Sequence, residues 1–377
     1  MKILFTGGGT GGHFYPIIAV AQELARLSEE EKFVPAQLYF MSDGPYNKRA
    51  LFDNSITYIY APSGNQPIYF SPKSIWNLIK TLIGIVNAVW RVYLIFPDVV
   101  FSKGGYSSIP ALVAARLLGI PVVIHESDST PGRVSLWAGK FATKIALSYQ
   151  EAAQYFAKEK SAITGNPVRP EFFVPVFSGA HEFFGFDSNL PVIYVTGGSS
   201  GSAKMNETIV DILPQLTETA QIIFQTGKDS YQDISKRAGY VLSGTGHEKR
   251  CKVYDYVNLS ALRMIGAIAS LVVSRAGSTI FEIAAWGTPS IIIPGDETVF
   301  HNDHQRKNAY AFAHTGACVV IEDKNLRPNI LYSEIERILQ NTNIQRDMRT
   351  ASSLFADNKS ALRIARELLA IGLSHEK

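Results

Sequence analysis

The sequence is poor in the features that mark several large classes of protein. Its 377 residues include only two cysteines, so a secreted scaffold held by disulfides is excluded. A hydrophobic content of 46% excludes a disordered or collagen-like chain. The net charge is only +3, which gives no sign of a nucleic-acid partner. At about 100–200 residues per domain, we expect two domains.

Several functional motifs are also absent. Residues 1–5 lead directly into glycines, without the apolar stretch and cleavage site of a secretory signal, so we expect a cytoplasmic protein. There is no Asp-x-Asp motif, no Gly-x-Ser-x-Gly motif and no Cys/His nucleophile pair. His301, Asp303 and His304 lie close in sequence, but the further ligands of a metal site are not evident. We therefore expect neither a metal nor a cofactor.

Short apolar runs alternate with helical patterns along the chain. The β-branched residues in these runs are continuous, which is typical of strands buried on both faces of a parallel sheet. A first series of predicted strands covers Lys2–Thr6, Gln37–Met41, Asp98–Ser102, Pro121–His125 and Lys144–Leu147. A second series covers Pro191–Thr196, Gln221–Thr226, Lys252–Asp255, Leu271–Ser274, Pro289–Pro294 and Ala317–Ile321. The pattern predicts an α/β fold.

The two series also share motifs in the same order. LFTGGGTGG at 4–12 matches YVTGGSSGS at 194–202 in pattern, and SKGGYSSIPA at 102–111 matches SRAGSTIFEIA at 274–284. Any single pair has a chance explanation, but the shared order favours two similar doubly wound halves. The prolines after Gly165 interrupt the pattern, so we predict domains at 1–164 and 165–355. Residues 356–377 contain an amphipathic helix that we expect to return to the first domain.

Glycine loops follow the first strand of each half. Gly7, Gly9 and Gly12 satisfy G-x-G-x-x-G, but the acid that a dinucleotide site needs about 20 residues further on is misplaced. A second loop spans Gly197–Gly201, and Gly277 opens a third. Backbone N–H groups at a helix start bind anions, so these loops predict phosphate sites. Two sites imply two phosphorylated ligands, or one that spans both.

Polar residues follow the strands of the first half. His13 closes the first glycine loop, where a histidine is either a cap or, as the position favours, a base with a suitable pKa. His125–Asp128 ends another strand and either contacts a ligand or caps the helix near Gly132. Asp128 is the member best placed as a ligand contact or an auxiliary base.

The second half offers groups suited to a nucleotide sugar. Ser278 or Thr279 either caps its helix or binds a diphosphate there, and Glu282 is placed to bind ribose hydroxyls. The segment 304–308 supplies amides for sugar hydroxyls. Without a metal, a diphosphate leaving group would be stabilised by the helix N-terminus and Arg169.

The segment Pro72–Phe96 is apolar enough to suggest a membrane, but polar residues break the run of about 20 that a span requires. On a helical wheel its apolar residues fill roughly 180°, which is wide for a helix on one sheet. It is either a covered core helix or an interfacial helix on anionic lipid. The interfacial residues would be Lys73, Ile75, Trp76, Ile79, Lys80, Ile83, Trp90 and Arg91.

A set of motifs runs in order through both halves. It comprises GGTGGH at 8–13, SKGGYSS at 102–108, HE with Pro-Gly at 125–132, GNPVRPEF at 165–172, GGSSGS at 197–202, SRAGST with Glu at 274–282 and HQ with NA at 304–309. As a set it resembles the MurG family, the peptidoglycan N-acetylglucosaminyl transferases that convert lipid I into lipid II. HESD at 125–128 replaces the usual HEQN, and Ser135 replaces a common Asn.

The resemblance implies a GT-B fold, with two Rossmann-like domains facing across a cleft, an acceptor-binding first and a UDP-GlcNAc-binding second. It implies an inverting, metal-independent hexosyl transfer from UDP-GlcNAc to the MurNAc 4-hydroxyl of undecaprenyl-linked lipid I. The enzyme would be peripheral on the cytoplasmic face of the bacterial inner membrane, with anionic lipids and other cell-wall synthesis proteins as partners. UDP-GlcNAc is a substrate, so no cofactor is implied.

The resemblance also assigns residues by position. Among the catalytic residues, His13 is the best match for the base and Glu126 lines the same side. Asp128, which replaces the usual Asn of the family, is expected to assist in catalysis from its position in the chain. The acceptor is expected to meet Thr10, Gly11, Gly12, His13, Gly104, Gly105 and Tyr106. The donor is expected to meet Arg169, Ser199, Val257, Gly277, Ser278, Thr279, Glu282, His304, Gln305 and Asn308.

Three alternatives stay open. The first is a GT-B transferase with another lipid acceptor. The second is a UDP-GlcNAc 2-epimerase, which needs no acceptor. The third is a non-catalytic UDP-sugar-binding scaffold that recruits cell-wall enzymes.

Overall fold

The computed structural model describes residues 1–64, 72–198, 201–295 and 303–375 of the chain. The chain forms two compact units, Met1–Arg169 with Asp357–Lys377, and Pro170–Ala356. The predicted boundaries follow residues 164 and 355, whereas the structure groups 165–169 with the first unit.

The first unit is built on a parallel sheet of seven strands in the order β3-β2-β1-β4-β5-β6-β7. The strands are β1 (Lys2–Thr6), β2 (Gln37–Ser42), β3 (Ile56–Tyr60), β4 (Val99–Ser102), β5 (Val122–Glu126), β6 (Lys144–Leu147) and β7 (Ser161–Ile163). The helices are α1 (Gly11–Glu30), α2 (Lys48–Asp53), α3 (Pro72–Ile95), α4 (Ile109–Leu117) and α5 (Arg133–Gly139). Parallel neighbours require crossover connections, which these helices and two 3-10 segments provide.

The second unit repeats this design with six parallel strands in the order β10-β9-β8-β11-β12-β13. The strands are β8 (Val192–Thr196), β9 (Gln221–Gln225), β10 (Cys251–Tyr254), β11 (Ala269–Arg275), β12 (Ser290–Ile293) and β13 (Cys318–Val320). The helices are α6 (Ala180–Phe184), α7 (Ala203–Thr219), α8 (Tyr231–Leu242), α9 (Leu259–Ile268), α10 (Thr279–Trp286), α11 (His304–Ala313), α12 (Pro328–Leu339) and α13 (Thr342–Phe355). Both sheets start in the middle, grow to one side and then to the other, so the predicted pair of doubly wound halves is confirmed.

Each predicted strand is present, but the sequence analysis missed β3 and β7. Both are edge strands of the first sheet. In β3 exposed and buried residues are interleaved, and β7 has only three residues, of which two are exposed. Neither has the continuous apolar run by which a central parallel strand is recognised.

The C-terminal helix α14 (Ser360–His375) belongs to the first unit. One face of it carries Ala361, Ile364, Ala365 and Leu368 into the core that α1 forms with the sheet. This apolar face explains why the chain returns to the first unit after the second has been completed.

Helix α3 packs through its small side chains and leaves its large ones exposed. Ala88 and Val92 are fully buried, and a Cβ atom on Gly84 would lie 1.8 Å from the carbonyl oxygen of Pro62. Trp76, on the outer face, is 67% exposed, and most of the large apolar side chains of α3 are exposed with it. Within the described residues, α3 contains one segment, 75–95, that is long and apolar enough to cross a membrane, with a mean hydropathy of 1.6 over its most apolar window.

Candidate active site

The candidate site of the first unit lies where β1 and β4 are neighbours. Thr6 at the end of β1 pairs with Ser102 at the end of β4, and Ser102 pairs with Ile124 near the end of β5. The loops that follow these strands therefore leave the same edge of the sheet at one level. In doubly wound sheets, ligands bind at this edge, at the point where the strand order reverses.

The predicted acceptor glycines lie in these loops. Gly105 has a φ of 80°, which favours glycine, and a Cβ atom there would lie 3.8 Å from both Cε1 and Nδ1 of His13. The loop after β4 thus lies against the start of α1. The structure thus brings Gly105, between Gly104 and Tyr106, close to His13, which follows Thr10, Gly11 and Gly12 in the other loop.

His13 lies in the first turn of α1, half-buried, with its Nδ1 atom 3.1 Å from the hydroxyl oxygen of Thr10. Burial lowers the pKa of His13, and the ammonium group of Lys103 lowers it further. The carboxylate of Asp128 and the carbonyl of Gly8 oppose these effects without cancelling them. His13 is therefore a neutral imidazole at pH 7, the form that accepts a proton.

Glu126 organises the loop that follows β5. Its Oε1 atom accepts a hydrogen bond from the backbone N–H of Asp128 at 3.0 Å, and its Oε2 atom accepts one from Gly132 at 3.1 Å. Burial raises the pKa of Glu126, and the nearby charge of Asp128 raises it further. The capping alternative therefore holds for Glu126, whereas Asp128 is half-buried at the surface of the loop.

Sequence analysis did not single out Lys103, although it lies in the SKGGYSS motif. The side chain is buried, with its Nζ atom 2.6 Å from Nδ1 of His125 and 3.1 Å from Oδ1 of Asn166. The position of a lysine directly after a continuous apolar strand was the available signal. Its pKa falls to about 7 because burial disfavours the ammonium form more than Glu126 and Asp128 favour it.

Arg169 also belongs to the first unit, although it was predicted to bind the donor. It is buried, and its guanidinium carbon lies 4.0 Å above the ring of Tyr15 on α1. This cation–π contact holds the guanidinium group of Arg169 against α1 in the first unit. Its predicted role at the donor diphosphate stays a prediction.

In the second unit the strand order reverses between β8 and β11, and their ends are again level, because Thr196 pairs with Ser274. Gly201, in the glycine loop after β8, is packed tightly. A Cβ atom on Gly201 would lie 2.3 Å from the carbonyl oxygen of Thr226, at the end of the neighbouring strand. Gly201 also has a φ of 71°. The close approach and the backbone conformation both require glycine here.

The start of α10 follows β11 at this edge. Ser278 is the N-cap residue, but its side chain makes no capping hydrogen bond, so the alternative in which its hydroxyl caps the helix does not hold. Gly277, Ser278, Thr279 and Glu282 are all half-buried. The helix start therefore presents backbone N–H groups and two hydroxyls at the edge where ligands bind.

The remaining predicted donor residues are placed differently from one another. Gln305 on α11 accepts a hydrogen bond from the backbone N–H of Gly295 at 2.8 Å, and His304 beside it is half-buried. Asn308 and Val257 are buried. Ser199 lies outside the described residues.

Asp323 is a further residue that sequence analysis missed. It is buried after β13, with Oδ1 2.8 Å from Nη1 of Arg275 and Oδ2 3.0 Å from Nζ of Lys204. Arg275 ends β11 and Lys204 lies in the first turn of α7. The carboxylate thus ties together the two segments that flank the glycine loop and α10.

The structure shows no metal-binding cluster of His, Cys, Asp or Glu within residues 1–64, 72–198, 201–295 and 303–375. Of the three residues considered from the sequence, His301 lies outside the described residues. The expectation that the protein works without a metal remains a prediction.

Comparison with known proteins identifies the class. The model of the glycosyltransferase family 28 N-terminal domain matches residues 3–147, and that of the C-terminal domain matches residues 192–365. A Bacillus thuringiensis (strain Al Hakam) protein named UDP-N-acetylglucosamine--N-acetylmuramyl-(pentapeptide) pyrophosphoryl-undecaprenol N-acetylglucosamine transferase 3 is 34% identical, over 90% of this chain and 92% of its own. The two units are therefore the two domains of a GT-B glycosyltransferase.

Two solved structures share the fold. Acinetobacter baumannii MurG has a TM-score of 0.70 at 22% identity, covering 98% of this chain and 99% of that one. A putative UDP-N-acetylglucosamine 2-epimerase from Listeria monocytogenes has a TM-score of 0.69 at 14% identity, covering 100% of this chain and 96% of that one. The fold alone thus does not separate the two activities, but the sequence match does. The chain belongs to the MurG family.

Proposed function

We propose that the protein transfers N-acetylglucosamine from UDP-GlcNAc to the 4-hydroxyl of the MurNAc residue in undecaprenyl-linked lipid I, forming lipid II for peptidoglycan. The name of the Bacillus thuringiensis relative, which aligns with 90% of this chain, supports this pair of substrates. The structural observation that carries the proposal is the position of His13, half-buried in the first turn of α1 at the carboxyl edge of the first sheet, with Nδ1 3.1 Å from the hydroxyl oxygen of Thr10. The lowered pKa of its imidazole agrees with the role of a base.

The transfer is a single displacement at C1 of the sugar. The oxygen of the acceptor hydroxyl attacks C1 while the bond from C1 to the diphosphate oxygen breaks, so the configuration at C1 is inverted. The hydroxyl proton passes to the imidazole of His13, and the electron pair of the broken bond leaves with UDP. The carboxylate of Asp128 stabilises the imidazolium that forms, since it favours the charged form of His13.

The second unit would hold UDP-GlcNAc. The diphosphate would bind to the N–H groups and hydroxyls at Gly277–Thr279, where the positive end of the α10 dipole stabilises the charge of the leaving group. Glu282, one turn further, would accept hydrogen bonds from the ribose. The amide of Gln305, with His304 beside it, would face the sugar. The structure gives Asn308 and Val257 buried positions, which suit backbone or loop-shaping contacts better than direct side-chain binding.

Helix α3 would bind the enzyme to the membrane that holds its acceptor. Its outer face exposes large apolar side chains, among them Trp76, Ile83 and Trp90, and Arg91 on the same helix is exposed as well. Indole rings favour the headgroup region, and cations favour anionic lipid. The side chain of Lys73 lies outside the described ones. The enzyme would thus be peripheral on the cytoplasmic face of the membrane, where other cell-wall synthesis proteins are possible partners.

The test is UDP release by the purified protein from UDP-GlcNAc, with and without a lipid I analogue. We expect release only with the acceptor, together with a β-linked disaccharide product. Turnover with other glycolipids but not with lipid I would show a different transferase. Conversion of UDP-GlcNAc to its C2 epimer without an acceptor would show an epimerase, and tight binding of UDP-GlcNAc without turnover would show a scaffold. Each of these three results contradicts the proposal.

A further inference from the structure

Lys103 is a buried charge whose direct partners are neutral. It is 2% exposed, and its ammonium group donates hydrogen bonds to Nδ1 of His125 and Oδ1 of Asn166. A buried ammonium group is costly, and an apolar side chain of similar size would pack there at a lower cost. A function of the positive charge itself would explain why this position holds a lysine.

The hydrogen bonds around His125 fix its tautomer. Nε2 lies 3.0 Å from the carbonyl oxygen of Gly165, which can only accept, so Nε2 carries the proton. Nδ1 then has a lone pair and accepts a hydrogen bond from Lys103. Burial lowers the pKa of His125 well below its ordinary value, which agrees with a neutral ring. The ammonium group is thus anchored between the end of β5 and the segment 165–166.

Three titratable groups of the candidate site interact with this anchored charge. The segment that carries Lys103 lies against the first glycine loop and His13, since a Cβ atom on Gly7 would lie 3.0 Å from Cβ of Lys103 and one on Gly105 would lie 3.8 Å from the His13 ring. His13 comes from the start of α1, whereas Glu126 and Asp128 come from the end of β5 and the loop after it. The ammonium group favours the neutral form of His13 and attracts both carboxylates. His125 is the other titratable group in contact with it. Asn166 carries no charge, so it holds the ammonium group in place without changing the charge of the site.

We propose that Lys103 is a positioning residue for catalysis, whose anchored ammonium group keeps His13 unprotonated, and ready to act as a base, on the acid side of neutrality. This inference rests on the proposed function, in which His13 receives the proton of the acceptor. Lys103 does not touch the substrate, because its side chain is buried, and it acts through His13 and the two carboxylates.

The sign of the effect follows from the charge. Below about pH 7 Lys103 is an ammonium ion, and this is the range in which a histidine titrates. Removing the charge makes protonation of His13 and of Glu126 easier, so the pKa of each rises. As the pH is lowered, the rate of the variant should then begin to fall at a higher pH than the rate of the wild type. On the alkaline side, where Lys103 is already neutral, the rate should change little.

The experiment compares Lys103→Gln, which keeps a polar group, with Lys103→Met, which keeps the volume. Asn166→Ala is the matched control, because it removes one hydrogen bond of Lys103 but no charge. The pKa of His13 is measured directly by NMR of the protein labelled with 13C at histidine Cε1, with His13→Gln to assign the signal. The pH profile of kcat/KM for UDP release with a lipid I analogue is the second readout.

We expect the pKa of His13 and the acid limb of the profile to rise together by about one pH unit in Lys103→Gln and Lys103→Met, and to stay unchanged in Asn166→Ala. A His13 pKa that moves by less than about 0.2 in both lysine variants would overturn the proposal, as would an equal loss of rate at every pH. The NMR titration needs no acceptor. If the wild-type protein does not use lipid I, the proposed function fails, and the titration still decides whether Lys103 controls His13.

Discussion

Simultaneous replacement of Trp76, Ile83 and Trp90 by serine should release the protein from anionic vesicles without unfolding it. These side chains are 67%, 58% and 62% exposed, so most of each surface is still in water. Full burial of a large apolar side chain contributes about 1.5–3 kcal/mol, which leaves about 1–2 kcal/mol per side chain for a membrane to supply. The triple variant should therefore lose about 3 kcal/mol or more of binding free energy, about a 100-fold fall in affinity.

The basic side chains of α3 add a separate electrostatic contribution. Each cation near an anionic surface contributes about 1 kcal/mol, so Lys80→Gln with Arg91→Gln should weaken binding by about 2 kcal/mol. This loss should occur with vesicles that contain phosphatidylglycerol and not with neutral phosphatidylcholine vesicles. It should also disappear at high salt, because salt screens exposed charges, whereas the loss in the serine variant should persist.

The assay is vesicle sedimentation, with thermal unfolding of each variant measured in parallel. A matched triple variant with serine at Phe52, Tyr240 and Leu354 removes side chains that are 78%, 83% and 82% exposed elsewhere on the chain, and it should bind vesicles like the wild type. Ala88→Asp, on the covered face of α3, should unfold the protein instead. Unchanged vesicle affinity of the α3 serine variant, combined with a large loss of stability, would refute the reasoning and show α3 to be a core helix.

Four further predictions concern the candidate site. His13→Gln should lower kcat for UDP release by about 100- to 10,000-fold with lipid I saturating, and full turnover would exclude His13 as the base. Glu126→Ala leaves the half-buried N–H groups of Asp128 and Gly132 without their acceptor, so chemical denaturation should show a loss of about 1–2 kcal/mol in the free energy of unfolding. Gly201→Ala should lower that free energy by about 1–3 kcal/mol because of the contact with Thr226, whereas Gly198→Ala, where a Cβ atom meets nothing within 4 Å, should cost less. EDTA should leave the rate of UDP release unchanged, and a loss restored by Mg²⁺ would contradict metal independence.

The central strands of both sheets were predictable because burial on two faces leaves a continuous apolar run. The edge strands β3 and β7 were missed: β3, ITYIY, consists of strand-forming residues but lacks a continuous aliphatic run, and β7 has only three residues. At the motif 125–128, the sequence analysis favoured Asp128 as the ligand contact or auxiliary base, but it could not show what Glu126 does. Only the structure shows that backbone N–H groups occupy both oxygens of Glu126, which leaves Asp128 as the carboxylate at the loop surface.

Lys103 shows why the rest of the site was not predictable. Its direct partners His125 and Asn166 are 22 and 63 residues away in sequence, so no local sequence pattern indicates that the three side chains are in contact. These contacts depend on the strand order, which places β5 next to β4, and on the position of residues 165–166. The sequence shows a lysine directly after an apolar strand, but it does not show that this side chain is buried or which groups it contacts.

The two units share one strand order but carry different chemistry at the same topological position. In the first unit the loops after β1, β4 and β5 bring together His13, Lys103 and two carboxylates, all groups that exchange protons or set the charge of a neighbour. In the second unit the start of α10 presents N–H groups and hydroxyls, which bind phosphate without exchanging protons near pH 7. In the proposed function, proton transfer is therefore assigned to the unit that would hold the acceptor hydroxyl, and charge stabilisation to the unit that would hold the leaving diphosphate. This division suits an inverting transfer, because the proton leaves the attacking oxygen while the negative charge develops on the departing one.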